Sequence, residues 1–462
     1  VFMSVAIDLI CAGRPDDAKE VLQQCLGKVD AQKRTALFYA AERGYDSLVS
    51  LLIPKEARMA DVNGFTALMV AAQTGHIACV QLLVQSEARM TTNDGFTALM
   101  LAASKGHTEC MKILLPKEVK MQSSNGTTAL IMAIVGKQIE AASILVDKEA
   151  RMQMVDGSTA LMRAVSTKQL DMVSLLLKKE AKMQSSSGVS ALIISVESDF
   201  PEAFELLLPL EHRRARKDGS TALMAAVQQN NVIYANKLRM EIGMRRTDGT
   251  TALMLACLKN YDHFLDLLLE REGDIADSMG CTPLMCAAMN GHAELVRKLV
   301  EKKSCLKKRN KEGSTALYMA AMNMHYEVVE ILAPHEAGIQ NQHGYTALMQ
   351  AANTNSIEVT SLLLEREVGL TCLDGKTALM LAAESGYADI VKLLMIKEAR
   401  MQTPEGYTAL LYAIENEQLN VVHLLKDVEG DIVDNEGHGP LYYADATGND
   451  ELIDMFSHLQ SS

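Results

Sequence analysis

Apolar positions along this chain follow a helical spacing that is interrupted and renewed at regular intervals. After Thr97, for example, apolar residues recur at i, i+3 and i+4 as Leu99, Ala102 and Ala103, which places them on one face of a helix. Gly106 then interrupts the helical pattern, and a second short apolar face follows. The pattern predicts two short helices and a connecting loop in each copy.

The same Thr position can be followed almost to the end of the sequence. It is occupied by Thr35, Thr66, Thr97, Thr128, Thr159, Ser190, Thr221, Thr251, Thr282, Thr315, Thr346, Thr377, Thr408 and Gly439. The step is 31 residues, except that the copy beginning at Thr221 has 30 and the copy beginning at Thr282 has 33. A fixed period in this range predicts stacked supersecondary units. Stacking is necessary because helices of two to three turns are not stable alone.

Two segments carry a resemblance to a known family: GFTALMLAASKGH at residues 95–107 and TPLMCAAMNGHAELV at residues 282–296. Both resemble the ankyrin repeat, and the resemblance covers essentially the whole chain. The recurrent sequence of the repeats is similar to that of the expanded ankyrin families of diplomonad protists. In those families such arrays stand alone or follow a NEK-type kinase domain. The resemblance implies an all-α ankyrin-repeat solenoid of stacked helix-turn-helix units joined by short finger loops.

The chain departs from the family pattern at two positions of the repeat. The family's His after Thr-Pro-Leu is replaced by Met, which substitutes flexible apolar packing for a polar contact, at Met69, Met100, Met254 and Met380. The Gly that ends the second helix is replaced by Glu at Glu56, Glu87, Glu118, Glu149 and Glu398. Since Glu is poorly suited to a left-handed cap, we expect a shortened finger loop with a different helix exit.

The repeat pattern also suggests how the chain is organised. We expect a capping hairpin at residues 1–34, repeats at 35–438, and a capping repeat with a tail at 439–462, because terminal units of a stack have atypical outer faces. The copy at Ser190 lacks the Ala pair, and the copy at Thr221 has a deletion. We therefore expect residues 185–250 to have the lowest local stability in the array of repeats.

Composition narrows the function. The formal charge of −13 argues against nonspecific binding of nucleic acid, which requires a positively charged surface. Nine Cys without a CxxC pair indicate reduced core thiols rather than zinc or disulfides. No apolar run reaches the length of a membrane span. We expect a cytoplasmic monomer, possibly associated with the cytoskeleton, with neither metal nor cofactor.

Sequence motifs of catalysis are missing from the chain: it contains no GxGxxG, P-loop, HRD, DFG, GxSxG or HExxH. His76, His107 and His292 follow a Gly at the inner turn, and we interpret them as structural turn residues. The chain is therefore not expected to be an enzyme.

Aromatic residues directly before the Thr are the first candidates for partner binding. In the ankyrin family this position belongs to the surface that partners contact. The candidates are Phe65, Phe96, Tyr345 and Tyr407. Exposed aromatic residues are favoured interface anchors; the alternative is that each ring packs on its neighbouring loop.

Basic finger residues are the second candidates. They are Arg213, Arg214, Arg216, Lys217, Arg245, Arg246, Lys307, Lys308 and Arg309. Against a net acidic background they could seat an acidic peptide or a phosphate group, or they are simply solvated loop charges.

We therefore expect a non-enzymatic scaffold that binds other proteins on its finger and first-helix surface. The alternative is the targeting tail of a NEK-type kinase whose catalytic domain is absent from this chain. Nucleic acid and membrane are not expected as partners.

Overall fold

The computed structural model describes residues 2–24 and 26–457, with the side chains of residues 2–4 excepted. Within that part, the regular structure consists of thirty α-helices, two 3₁₀ segments and two isolated β-bridges, without a strand. The predicted all-α repeat fold is confirmed. The last five residues, 458–462, to which part of the predicted tail belongs, lie outside the described residues.

The first of two compact units is Val1–Ala225. Its helices are α1 Phe2–Cys11, α2 Pro15–Leu22, α3 Ala36–Arg43, α4 Asp46–Glu56, α5 Ala67–Thr74, α6 Ile77–Glu87, α7 Ala98–Lys105, α8 Thr108–Glu118, α9 Ala129–Val135, α10 Ile139–Glu149, α11 Ala160–Ser166, α12 Leu170–Glu180, α13 Ala191–Glu197, α14 Pro201–Glu211 and the start of α15 Ala222–Gln228. First helices pack on first helices, as α5 on α7 and α7 on α9, and second helices on second helices, as α6 on α8. This is the arrangement of an α-solenoid.

The second unit is Ala226–Ser462. After α15 its helices are α16 Val232–Lys237, α17 Ala252–Leu258, α18 Leu265–Glu272, α19 Pro283–Met289, α20 Ala293–Glu301, α21 Ala316–Met322, α22 Tyr326–Glu336, α23 Ala347–Asn353, α24 Ile357–Glu367, α25 Ala378–Glu384, α26 Ala388–Glu398, α27 Ala409–Glu415, α28 Leu419–Glu429, α29 Pro440–Thr447 and α30 Asp450–Ser457. The same stacking recurs, with α19 on α21 and α20 on α22.

In most repeats the residue at the Thr position caps the first helix with its side chain; Thr408 and Gly439 do not. The Thr97 hydroxyl accepts from the backbone N–H of Met100 at 3.3 Å, which satisfies one of the free donors of the first turn. The Met slots that replace the family's His are buried, since Met69, Met100 and Met254 are each 1% exposed. They fill the core, as predicted.

The turn between the two helices explains the Gly and His of the pattern. Gly75 has φ +85°, and a Cβ there would lie 2.7 Å from the ring of His107 in the next repeat. Nε2 of that ring lies 3.1 Å from the carbonyl oxygen of Gln73. The same contact recurs at His76, His292 and His325. The structural interpretation of these histidines is therefore confirmed.

The second helix ends two residues before a left-handed residue. Glu118 is the last residue of α8, and the left-handed residue is Lys120, with φ +66°. The Glu does not occupy the left-handed position, for which it is poorly suited; its side chain turns inward and is only 1% exposed. Its Oε2 accepts from the N–H of Leu99 in the same repeat at 2.7 Å, and its Oε1 from the N–H of Arg89 at 3.0 Å. One buried carboxylate thus binds the backbone of two segments.

This pairing recurs through the chain. Carboxylates in the same position accept both N–H groups at Glu56, Glu87, Glu118, Glu149, Glu180, Glu211, Glu272, Glu336, Glu367, Glu398 and Glu429. In the repeat with the 33-residue step, Glu301 is exposed, and the buried Cys305 thiol lies against the carbonyl of Gly273 instead.

The fingers, which are the loops between a second helix and the next Thr, are also cross-linked. In one finger the N–H of Thr92 donates to the carbonyl of Phe96 at 2.9 Å, and Asn93 donates to Asn63 of the preceding finger at 2.9 Å. Side-chain amides add bonds to the next finger at Gln122, Gln153, Gln184, Gln340 and Gln402. Each finger is therefore held by the backbone of its neighbour.

Candidate functional site

The residue directly before the Thr, which we call the pre-cap position, lies at the base of each finger. Phe65 and Phe96 occupy it in consecutive repeats, and both rings are half-buried. The Phe65 N–H donates to Oδ1 of Asp61 at 2.9 Å, and the Phe96 N–H donates to Oγ1 of Thr92 at 3.1 Å. The backbone that carries these rings is consequently fixed before any partner arrives.

The other two aromatic candidates lie in the second unit. Tyr345 and Tyr407 are held in the same way, through N–H bonds to Asn341 at 2.9 Å and to Thr403 at 3.2 Å. Lys376 occupies the pre-cap position of the intervening repeat. The structure therefore places the two tyrosines two repeats apart rather than side by side.

Tyr407 belongs to a group of aromatic rings, the tyrosine cluster, formed by Tyr407, Tyr412, Tyr442 and Tyr443. The ring centroid of Tyr407 lies 5.4 Å from the centroids of Tyr412 and Tyr443. The centroids of Tyr442 and Tyr443 are also 5.4 Å apart. Contacts at this distance are typical of paired aromatic side chains. The sequence analysis missed Tyr412 and Tyr443. Their shared repeat position, four residues after Thr408 and four after Gly439, is the signal that would have found them.

Acidic groups surround this cluster. Nζ of Lys376 lies 2.7 Å from Glu384 and 4.3 Å from the ring centroid of Tyr412, while the Tyr407 hydroxyl lies 3.4 Å from Glu415. Burial, with nearby Glu384 and Glu415, raises the pKa of Tyr412 to about 12. Burial also raises the pKa of the Glu415 carboxyl. The surface thus combines aromatic rings with carboxylates and one lysine that already contacts both.

The basic candidates of the first unit are adjacent in one finger. Arg213 and Lys217 are exposed, whereas Arg214 and Arg216 are half-buried. The Arg216 guanidinium pairs with the Glu197 carboxylate, so its charge is already matched within the chain. The remaining three residues project from the same loop.

The basic candidates of the second unit lie on two separate fingers. Arg245 and Arg246 belong to one finger, and Lys307, Lys308 and Arg309 belong to another. Lys307 contributes its N–H to Oε1 of Glu336 at 2.8 Å. The Arg309 guanidinium donates to the carbonyl of Gln340. Both hydrogen bonds join one repeat to the next. The side chains of Lys307 and Lys308 remain exposed.

In the described part of the chain, no group of three or more His, Cys, Asp and Glu side chains is arranged to hold a metal ion. Cys79 and Cys110 are buried at the same repeat position, and burial raises the pKa of each thiol to about 11. Among the described helices, none has both the length and the apolar character needed to cross a bilayer.

Comparison with known proteins agrees with the geometry. The family described as "Ankyrin repeats (3 copies)" matches residues 9–94, 85–156, 148–214, 237–310, 265–340, 294–372, 333–404 and 379–460. A comparison with curated proteins finds no match. Because paired helices capped by Thr recur through both units and the family matches extend over nearly the full length, the chain belongs to the ankyrin-repeat family.

Proposed function

We propose that this chain is a non-enzymatic scaffold that binds other proteins through its fingers and first helices. Ankyrin repeats are in general protein-interaction modules. The observation that carries the proposal is the pair of half-buried aromatic pre-cap residues, Phe65 and Phe96, in consecutive repeats on a hydrogen-bonded backbone. A surface that is ordered before binding loses little conformational entropy when a partner docks.

Phe65 and Phe96 are the pair that we propose as anchors in the first unit. They occupy consecutive fingers, roughly 10 Å apart at the usual spacing of packed helices. A partner side chain could contact both rings, as in the aromatic centres of other interfaces. Tyr345 and Tyr407 are proposed as the corresponding contacts of the second unit.

The role as a tail of a NEK-type kinase stays a prediction that rests on the resemblance alone. The cytoplasmic location, the association with the cytoskeleton and the monomeric state also stay predictions. The basic finger residues are proposed as secondary contacts for acidic groups, because Arg213, Lys217 and Lys308 remain exposed.

The test is the variant Phe65→Ala/Phe96→Ala. We expect it to reduce the recovery of partner proteins in affinity purification by about tenfold, as for interface anchors that contribute more than 1 kcal/mol, without lowering the melting temperature. The matched control is Leu51→Ala/Leu82→Ala, which removes two exposed side chains of the second helices, 51% and 40% exposed, in the same unit. Equal partner recovery by both variants would contradict the proposal. A large loss of stability in the Phe variant would assign the rings to packing.

A further inference from the structure

A row of cations recurs in the first unit at a repeat position other than the pre-cap position. It consists of the left-handed residues that follow the second helices. They are Arg58, Arg89, Lys120, Arg151, Lys182 and Arg213, with φ between +65° and +75°. All six side chains are exposed, and we call this row the basic edge.

The backbone does not explain why these residues are cationic. Left-handed angles are favoured by Gly and disfavoured for side chains with a Cβ. Gly does hold the same position elsewhere, at Gly27, Gly338 and Gly369, with φ +73°, +84° and +78°, where its N–H makes the same bond to the buried Glu. Other left-handed positions of the chain accept Asp199 and Glu417. The fold therefore tolerates other residues, yet the first unit has a cation in six consecutive repeats.

Three side chains in the middle of the row are not used to pair with acids of the chain. Arg89, Lys120 and Arg151 give only their backbone N–H to the buried carboxylates. Their charged groups form no ion pair with any residue that the structure describes. The row contains both Arg and Lys, so the charge is kept while the side chain changes. Exposed cations in register, three of them without an acidic partner in the described chain, indicate a surface for a negatively charged partner.

A second row strengthens the positive field. Exposed lysines directly precede the buried Glu at Lys55, Lys117, Lys148 and Lys179. Of these, Lys179 pairs with Asp147 at 3.1 Å. The acids that follow these lysines are buried and accept backbone N–H groups, so the sequence alternates charge while the exposed edge is mainly basic. In the second unit the corresponding edge has mixed charge, since it exposes Glu270, Asp274, Glu365 and Asp427 beside Arg271, Lys307, Arg366, Lys397 and Arg400.

The spacing of the row favours one kind of partner. Successive repeats lie about 10 Å apart at the usual distance between packed helices. Seven residues of an α-helix rise about 10.5 Å, so one carboxylate per heptad would meet one cation per repeat. A coiled coil presents such a stripe at its e or g positions. Flexible Arg and Lys side chains can absorb a mismatch of about half an ångström per step.

We propose that the basic edge of the first unit binds an acidic helical partner, a coiled coil with a carboxylate in each heptad along one face. The basic edge lies at the start of the fingers and shares only Arg213 with the contacts proposed above, so it can be tested with the pre-cap residues unchanged. Each contact is a surface ion pair, so affinity comes from several weak contacts acting together.

The experiment uses the full chain and a two-stranded coiled-coil peptide of five heptads with Glu at the e and g positions. Fluorescence anisotropy would report binding at 50 mM and 300 mM salt. We expect Lys120→Gly/Arg151→Gly to weaken binding about fivefold, within the range for two exposed ion pairs, and to keep or raise the melting temperature, because Gly suits a left-handed position. Binding should also weaken with salt.

The matched control is Lys137→Gly/Lys168→Gly. It removes two cations from left-handed positions of the same unit, with φ +57° and +54°, but at the inner turn rather than at the basic edge. We expect it to bind the peptide like the unmodified chain. Equal loss in both variants, equal binding of a peptide with Gln in place of Glu, or binding of a DNA duplex in preference to the peptide would overturn the proposal. Since Phe65 and Phe96 are unchanged in these variants, failure here leaves the finger surface testable by its own experiment.

Discussion

The buried glutamate at the end of the second helix is the residue that most distinguishes these repeats. An ionised or neutral carboxyl group in an apolar interior is unfavourable unless its oxygens are hydrogen-bonded. Here the two oxygens of Glu118 accept from Leu99 and Arg89, and the Thr97 hydroxyl bonds the same carboxyl. Each such carboxyl group therefore joins two segments of backbone.

The two acceptor oxygens make Glu118→Gln an informative substitution. Gln keeps the shape but has one oxygen and one NH₂ group, so either orientation leaves a donor facing the N–H of Leu99 or Arg89. We expect a loss of about 2 kcal/mol in local stability, the usual range for an unsatisfied buried donor. Amide hydrogen exchange at Leu99 and Arg89 would measure the loss.

The control for that substitution is Glu109→Gln in the same helix. Glu109 is exposed and pairs with Lys112 at 2.5 Å, and exposed pairs contribute little. We expect almost no change in exchange at Leu99. If Glu118→Gln behaved like Glu109→Gln, the carboxylate would not stabilise the repeat in the way described.

Residue roles of this kind were only partly predictable from the sequence. The Thr caps, the buried Met and the His turns follow from local rules, because each acts within one repeat or on the next turn. The inward Glu does not, since its partners are 19 and 29 residues away. The tyrosine cluster was missed for a similar reason. Tyr412 and Tyr443 belong to different repeats and meet only when the repeats stack.

At the scale of helices, regularity changes between copies. Most second helices have eleven residues, but Val232–Lys237 has six and is followed by a 3₁₀ segment at Arg239–Glu241. The next second helix is also preceded by a 3₁₀ segment, Asp262–Phe264. A short helix offers fewer buried apolar side chains to its neighbours, which weakens coupling in a one-dimensional stack. Part of this irregular region lies in the stretch for which the sequence predicts low stability.

Hydrogen exchange would test that prediction. We expect backbone amides in residues 185–250 to exchange faster than those of the regular repeats at Thr66 and Thr97, because local opening reflects local coupling. The comparison should use helix amides only, since exposed finger amides exchange rapidly everywhere. Uniform protection of the helix amides from exchange in both regions would refute the prediction that residues 185–250 have low local stability.

On the scale of the whole molecule, the net charge does not describe the charge of the surface, because many glutamates are buried. Twelve glutamates are at most 1% exposed, at Glu56, Glu87, Glu118, Glu149, Glu180, Glu211, Glu241, Glu272, Glu336, Glu367, Glu398 and Glu429. Subtracting these 12 from the 58 acidic residues leaves 46 against 45 basic ones. The sequence-based argument from −13 therefore overstates the acidity of the surface, and basic regions such as the basic edge are less exceptional than the formal charge suggests.

The same glutamates predict how stability depends on pH. Burial raises the pKa in ten of them, against the opposing effect of their backbone hydrogen bonds. A carboxyl whose folded pKa is raised binds protons more tightly in the folded state, so its contribution is complete below about pH 4.5 and is lost as pH rises through the folded pKa. Aspartates with lowered pKa, such as Asp156 and Asp262, lose their contribution only as pH falls below about 3.8.

We therefore expect the free energy of unfolding to be greatest between about pH 4 and 5 and to decrease toward pH 8. Thermal unfolding followed by circular dichroism at pH 4.5, 6 and 8 would measure this, at low protein concentration because the isoelectric point is near 5.4. Repulsion among surface carboxylates would give the same trend, so the series is repeated in 1 M salt, where the Debye length is about 3 Å. A decrease that persists in high salt assigns the effect to the buried carboxyls, since they are shielded from the added ions. Stability that rises from pH 5 to 8 would mean that the hydrogen bonds to these carboxylates outweigh the effect of burial. A trend abolished by salt would assign it to repulsion among surface carboxylates and contradict the prediction.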